Sequence, residues 1–214
     1  MIIRTTEWEY NHLRGGPVDR SAPGAPCQHG RVNRPSGFPL PSTKGRLLVA
    51  APPLADGNFD RTVVYVLEHN EGGALGVVLN RRSEDLDIEF DSWSHLIAPP
   101  AELFTGGPVE TNALIALGRF IDDQGRPSAE PVDLDSDPLV LDPMPSAIRI
   151  FIGYAGWGAQ QLDGELEMGA WIVLPFEVDD AFCAEPDDLW RSVLRRQSGR
   201  MAWLADCPAD VLTN

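Results

Sequence analysis

Short apolar runs rich in β-branched residues begin abruptly at Arg46, each closed by a turn signal, and they dictate what this chain can build. Leu47-Leu48-Val49-Ala50-Ala51 is stopped by Pro52-Pro53 and reads as a buried strand. Thr62 to Leu67 is β-branched and aromatic, a second strand. Asn70-Glu71-Gly72-Gly73 supplies residues that tolerate positive φ, and Ala74 to Leu79 resumes the apolar pattern, which predicts a β-hairpin. Further strands are expected at 102–104, 113–120, 139–141, 148–154 and 171–176. Leu86, Phe90, Trp93 and Ile97 recur at helical steps, predicting a helix over 85–97. Leu162 and Leu166 lie one turn apart within an expected helix at 157–168. A last helix fits 187–197, with Asp187 and Asp188 at its positive end, Arg195 and Arg196 at its negative end, and Gly199 as a stop. The irregular alternation predicts an α/β (α+β) fold, a mixed sheet flanked by helices, and not a doubly wound parallel sheet.

Residues 1–44 read differently. They hold Pro17, Pro23, Pro26, Pro35, Pro39 and Pro41 among five glycines, with no apolar periodicity. A disordered tail is expected there, followed by a single domain over 45–214. The tail carries six basic residues and three acidic ones, hence +3; with −15 on the whole chain, −18 remains for 45–214. The alternative reading of the tail is a basic arm for an anionic partner. A domain at −18 repels phosphate backbones, so no direct nucleic-acid binding by the core is expected.

Cys27, Cys183 and Cys207 are too scattered for a disulfide framework or a zinc site, and fit a reducing compartment. The N-terminus lacks a signal-peptide apolar segment, and no run reaches the roughly 18 apolar residues of a membrane span. A cytoplasmic protein without membrane contact is expected.

Motifs for phosphate, dinucleotide, acyl-transfer and zinc chemistry are absent. Asp133-x-Asp135-x-Asp137 opens like a calcium loop but fails at Pro138 and Met144. Residues 188–206 could be drawn as helix–turn–helix, yet Met201-Ala202-Trp203-Leu204 offers no base-reading donors, so packed helices are expected. No metal, cofactor or catalytic residue is assigned.

Three segments carry polar residues near turns. His69 and Asn70 stand at one end of the hairpin and Asn80 after its other end; Thr105-Gly106-Gly107 follows a strand, with backbone amides that could form an anion nest. Tyr154, Gly156, Trp157, Gln161 and Glu165 follow, the last three spaced by four as one helical face. These eleven residues are expected to meet as one concave ligand-binding surface, Asn80 with the least weight. The expected function is recognition of a small molecule or a protein by a regulatory module. The alternative is a hydrolase with His69 as general base, Gly106-Gly107 amides on the oxyanion, and Glu68, Glu71 or Glu165 as orienting carboxylate.

In their order, these segments resemble the bacterial YqgE/AlgH family. The likeness runs through Leu48-Val49-Ala50, Asp56, Phe59, Thr62-Val63-Val64-Tyr65, His69-Asn70, Gly73-Ala74-Leu75-Gly76 and Asn80. It continues through Gly106-Gly107-Pro108-Val109, Gly153-Tyr154-Ala155-Gly156-Trp157, Gln161-Leu162, Glu165 and Ala170-Trp171. Gln160 stands where the family more often has Gly, Asp163 where it more often has Glu, and residues 1–44 have no counterpart. The resemblance implies a strongly bent mixed sheet partly closed into a pseudo-barrel, and a bacterial cytoplasmic protein. It does not imply an enzyme. One branch is labelled a transcriptional regulator.

Overall fold

A computed structural model describes residues 41–52, 58–83 and 92–207. The expectation of a disordered tail falls largely on residues 1–40, outside the described ones. Among the described residues eight strands form one sheet: β1 (Arg46–Ala50), β2 (Val63–Asn70), β3 (Gly73–Val78), β4 (Phe104–Thr105), β5 (Val109–Ile121), β6 (Pro127–Val132), β7 (Ala147–Gly158) and β8 (Trp171–Pro175). The order is β6-β5-β7-β3-β2-β1-β8, with β4 pairing beside β7. β4 and β7 run parallel and the other ladders are antiparallel, so the sheet is mixed as expected. It is open, with β6 and β8 at its margins. Register shifts between Val66 and Glu68 on β2 and between Val109 and Leu114 on β5 mark irregularities of the kind that bend strands.

Among the described residues there are four α-helices: α1 (Gln161–Glu167), α2 (Val178–Ala181), α3 (Leu189–Arg195) and α4 (Arg200–Leu204). The continuous apolar run of β1 is explained by burial on both faces. Leu47 and Val49 join Val63, Tyr65, Val77 and Leu79 in a core closed by Leu189, Trp190, Val193 and Leu194 of α3. Leu48 and Ala50 face the opposite way, with Val64, Val66, Ala74, Trp157, Trp171 and Leu162 of α1. Trp190 Nε1 donates to Ala50 O at 2.9 Å, tying α3 to the sheet. α3 is therefore packed as the apolar sequence there predicts, and α4 meets the same core through Leu204 and Ala205 while Trp203 stands 75% exposed. A third cluster gathers Ile148, Ile150, Ile152 and Ala116 beneath Trp93 and Leu96.

Some elements differ from the sequence reading. Residues 85–91 of the expected helix at 85–97 lie outside the described ones, and the remainder holds a 3-10 turn at Ser94–Leu96. Residues 138–140 form a 3-10 turn where 139–141 reads as a strand. Pro138 presets a turn φ, and the Asp137 side chain accepts from Leu139 N at 2.9 Å, caging the chain in that turn. β6 escapes the pattern because Pro127 and Pro131 weaken its strand signal; a marginal strand tolerates them. The helix expected from 157 starts at Gln161, since β7 continues through Gly158 and Gln160 turns the chain at φ 63°. α2 is too short to show periodicity, and a reciprocal cap between Glu177 and Asp180 marks its start.

Candidate functional site

The hairpin end reaches α1 through one row of the sheet. His69 pairs with Ala74, and Ala74 with Trp157, across β2, β3 and β7. The His69 ring is buried, its side chain 7% exposed. Its Nδ1 lies 3.1 Å from Thr43 N and 2.9 Å from Thr43 Oγ1. A backbone N–H can only donate, so Nδ1 accepts and the neutral ring carries its proton on Nε2. Nε2 faces Asp163 Oδ1 at 3.6 Å, beyond good hydrogen-bond length, and that oxygen is buried without a hydrogen-bond partner. Both ring nitrogens are thus turned toward the fold, and neither opens to a substrate. The carboxylate beside His69 is Asp163, not Glu68, Glu71 or Glu165; Glu68 pairs with Lys44.

Glu165 is the hub of the α1 contact. Its Oε2 accepts from Trp157 Nε1 at 2.9 Å and from Trp171 Nε1 at 2.7 Å. Its Oε1 accepts from Gln161 Nε2 at 3.0 Å, while Gln161 Oε1 accepts from Gly158 N at 3.1 Å. Trp157 reaches Glu165 from strand β7 and not from a shared helical face, because β7 outlasts its expected end. Phe59 completes an aromatic cluster, 5.5 Å from Trp171 and 6.4 Å from Trp157 between ring centroids. Both indoles are buried, so Trp157 fills the core and does not wall an open pocket. Gly156, beside it, is exposed and abuts the Tyr154 ring.

Thr105, Gly106 and Gly107 serve a backbone crossing. Gly106 N donates to Ile152 O at 2.7 Å, and Gly106 O accepts from Val78 N at 2.8 Å. A Cβ on Gly106 would stand 2.3 Å from Gly153 O, and one on Gly107 2.2 Å from the Tyr154 carbonyl carbon. Only glycine permits chains so close, and the bonded Gly106 amide leaves no nest for an anion there. Thr105 N donates to Arg81 O, and Tyr154 OH donates to Glu110 at 3.5 Å. Burial, then Glu110, pushes the Tyr154 hydroxyl up.

Asn70 Oδ1 accepts from Gly72 N at 2.8 Å and fixes the hairpin turn. Asn80 clamps the other end, accepting from Val63 N at 2.8 Å and donating to Arg61 O at 2.9 Å. Nine of the eleven expected residues therefore fall into two groups, with Asn70 at the hairpin turn and Gly156 opposite Leu75 on β7. His69, Trp157, Gln161 and Glu165 gather under α1. Asn80, Thr105, Gly106, Gly107 and Tyr154 lie toward the opposite end of the hairpin. Ala74 and Val78, the β3 residues beside each group, are four steps apart, roughly 13 Å at the usual strand rise. A hydrolase with His69 working against Gly106-Gly107 lacks its geometry. Among the described residues, no set of three or more His, Cys, Asp and Glu could hold a metal ion, and no helix is long and apolar enough to cross a membrane.

The profile of a family described as AlgH-like matches residues 47–202, nearly the whole sheet with its helices. The chain belongs to the AlgH-like family. A UPF0301 protein of Streptomyces coelicolor is 43% identical over 187 residues, covering 81% of this chain and 96% of its own. One from Thermobifida fusca is 42% identical over 191 residues with the same coverage. Among solved structures, a crystal structure of Corynebacterium diphtheriae protein DIP2367 aligns with TM-score 0.69 and 29% identity, over 79% of this chain and 94% of that one. The solution structure of AlgH from Pseudomonas aeruginosa aligns with TM-score 0.53 and 28% identity, over 84% and 98%.

Two features of the AlgH-like chain escape motif reading. Arg149 is fully buried on β7, stacked 4.4 Å over the Phe104 ring. It donates from Nη1 to Cys183 O at 2.9 Å and from Nη2 to Pro99 O, joining two loops to the sheet. Its pKa is lowered to about 10, chiefly by burial and also by nearby Arg82, with Cys183 and Glu102 opposing. Its alternating position among isoleucines was the available signal. The second feature is the segment 133–145 between β6 and β7. It carries Leu139 at 76%, Val140 at 73% and Met144 at 48% exposure, amid aspartates.

Proposed function

We propose that this AlgH-like chain is a cytoplasmic regulatory module that binds another protein through a surface. The carrying observation is the exposure of Leu139, Val140 and Met144 on a segment whose neighbouring side chains are well anchored. Large apolar side chains held side by side in water favour a protein contact over a small-molecule cleft. The polar residues under α1 support the same reading from the opposite side, since Glu165 and His69 direct acceptors into the fold and the exposed Gln161 amide is already bonded to Gly158 N and Glu165. The acidic core weighs against DNA as the direct target.

The test is a photo-crosslinking residue placed at position 140, irradiated in cells that produce the protein. A discrete higher-mass adduct at position 140, absent from the same residue at exposed position 168, is expected. Adducts at neither position, combined with a small molecule that raises the melting temperature in an unbiased screen, would overturn the reading in favour of a ligand site.

A further inference from the structure

Residues 133–145 form a strap across the third core cluster. Leu134 and Leu141 pack against the cluster of Trp93, Ala116 of β5 and the β7 isoleucines, while Pro138 and Pro145 are buried. Trp93 Nε1 donates to Leu134 O at 3.1 Å. Asp133 Oδ1 accepts from Asp135 N at 3.0 Å, and Asp137 caps the 3-10 turn that lifts Leu139 and Val140 outward. At the strap's end, Ser146 donates from both N and Oγ to Arg119 O, at 2.7 and 3.0 Å. The outward side chains therefore ride on a segment pinned at both ends and in the middle. Little ordering remains to oppose a binding event.

The charge around them has one sign. Asp133, Asp135, Asp137 and Asp142 are exposed, and Glu130 precedes them on β6. From Pro127 to Ile148 the sequence holds no Lys or Arg, and among the described residues no ion pair neutralises these five carboxylates. An apolar centre with an acidic rim complements a cationic segment that presents apolar side chains. A second copy fits poorly, because each chain carries −15 and would oppose acid with acid.

We propose that the strap is the docking surface for a basic segment of a partner protein, its apolar residues seated on Leu139, Val140 and Met144 and its Lys or Arg side chains among the aspartates. The proposal rests on the partner-binding reading and adds the partner's chemistry.

The test uses the full chain and three synthetic amphipathic peptides of equal length: Lys/Leu/Ala, the same with every Lys replaced by Glu, and the same with every Leu replaced by Ser. Affinity is measured by fluorescence anisotropy at low salt and at about 150 mM salt. The Lys/Leu/Ala peptide is expected to bind more tightly than the other two and to weaken with salt. Leu139→Ser with Val140→Ser should weaken it about tenfold or more, while Met168→Ser, also on an exposed side chain, changes it less than about twofold. Unchanged melting temperatures certify that both variants remain folded. Binding indifferent to the strap variant, or equal binding of the Glu peptide, would overturn the proposal. So would tighter capture, at the strap, of a peptide comprising the chain's own residues 1–40, or a dimer that the strap variant dissolves. A protein crosslinked at position 140 while the cationic peptides ignore the strap would remove the basic specificity and leave partner binding standing. Adducts at neither position, combined with a small molecule that raises the melting temperature, would remove the underlying reading itself.

Discussion

The ground beneath α1 and the strap at 133–145 both draw the eye, for opposite reasons. Under α1, residues with functional chemistry are turned inward: the Glu165 carboxylate meets two indoles and an amide, and the His69 ring is held between Thr43 and Asp163. On the strap, residues with core chemistry are turned outward, and carboxylates stand without ion partners among the described residues. Polar residues in a motif are not a site until their donors and acceptors are accounted for. Apolar residues become informative when an anchored backbone holds them in water.

The comparison breaks most easily at Trp157. If its ring belongs to the fold, Trp157→Ala should cost about 3–5 kcal/mol in urea unfolding, the range for large-to-small core changes. A loss under about 1 kcal/mol would mean the indole is dispensable to the core, and would return Trp157 to the role of pocket wall. Gln161→Ala sharpens the point at smaller scale. It removes the bridge between Gly158 N and Glu165, and about 1 kcal/mol of destabilisation is expected. No change in unfolding free energy would show that amide to be free for a ligand.

Alkaline pH probes the other face of the sheet. Tyr65 is stacked on Phe176 with ring centroids 4.0 Å apart, and burial, then Glu130, raises its hydroxyl pKa above the ordinary 10.0. A raised folded-state pKa means the folded chain holds the proton longer than the unfolded one. Stability from this group is then present below about pH 10 and lost as pH climbs through the folded value. Tyr65→Phe should flatten that alkaline decline, measured by chemical unfolding at several pH values. An equally steep decline in the variant would assign the loss to other groups.

Much of the fold was legible because strand burial leaves a plain trace. The β2–β3 hairpin follows from β-branched runs around Asn70-Glu71-Gly72-Gly73, and α3 from its charged ends. What stayed illegible has local causes. β6 hides behind Pro127 and Pro131, and Pro138 with Asp137 converts an apolar triplet into a turn. The candidate residues were expected to share one ligand-binding surface, and their grouping depended on where β7 ends. Extending β7 through Gly158 moved Trp157 off the helix, and the crossing at Gly106, Gly107 and Gly153 lies four residues away along the sheet. Asp163 beside His69 could not be seen, because the pairing joins residues 94 positions apart through α1.

The strap should be nearly silent in stability, and Glu165 should not. Urea unfolding of Glu165→Ala alongside the double variant Leu139→Ser, Val140→Ser measures both at once. Removing Glu165 strands two buried indole N–H groups, and a loss of about 2–4 kcal/mol is predicted. The strap variant, changing side chains already in water, is predicted to stay within about 0.5 kcal/mol of the parent. A strap variant that unfolds as readily as Glu165→Ala, or a Glu165→Ala chain as stable as the parent, would contradict the division of the molecule into an inward-turned scaffold and an outward-turned binding surface.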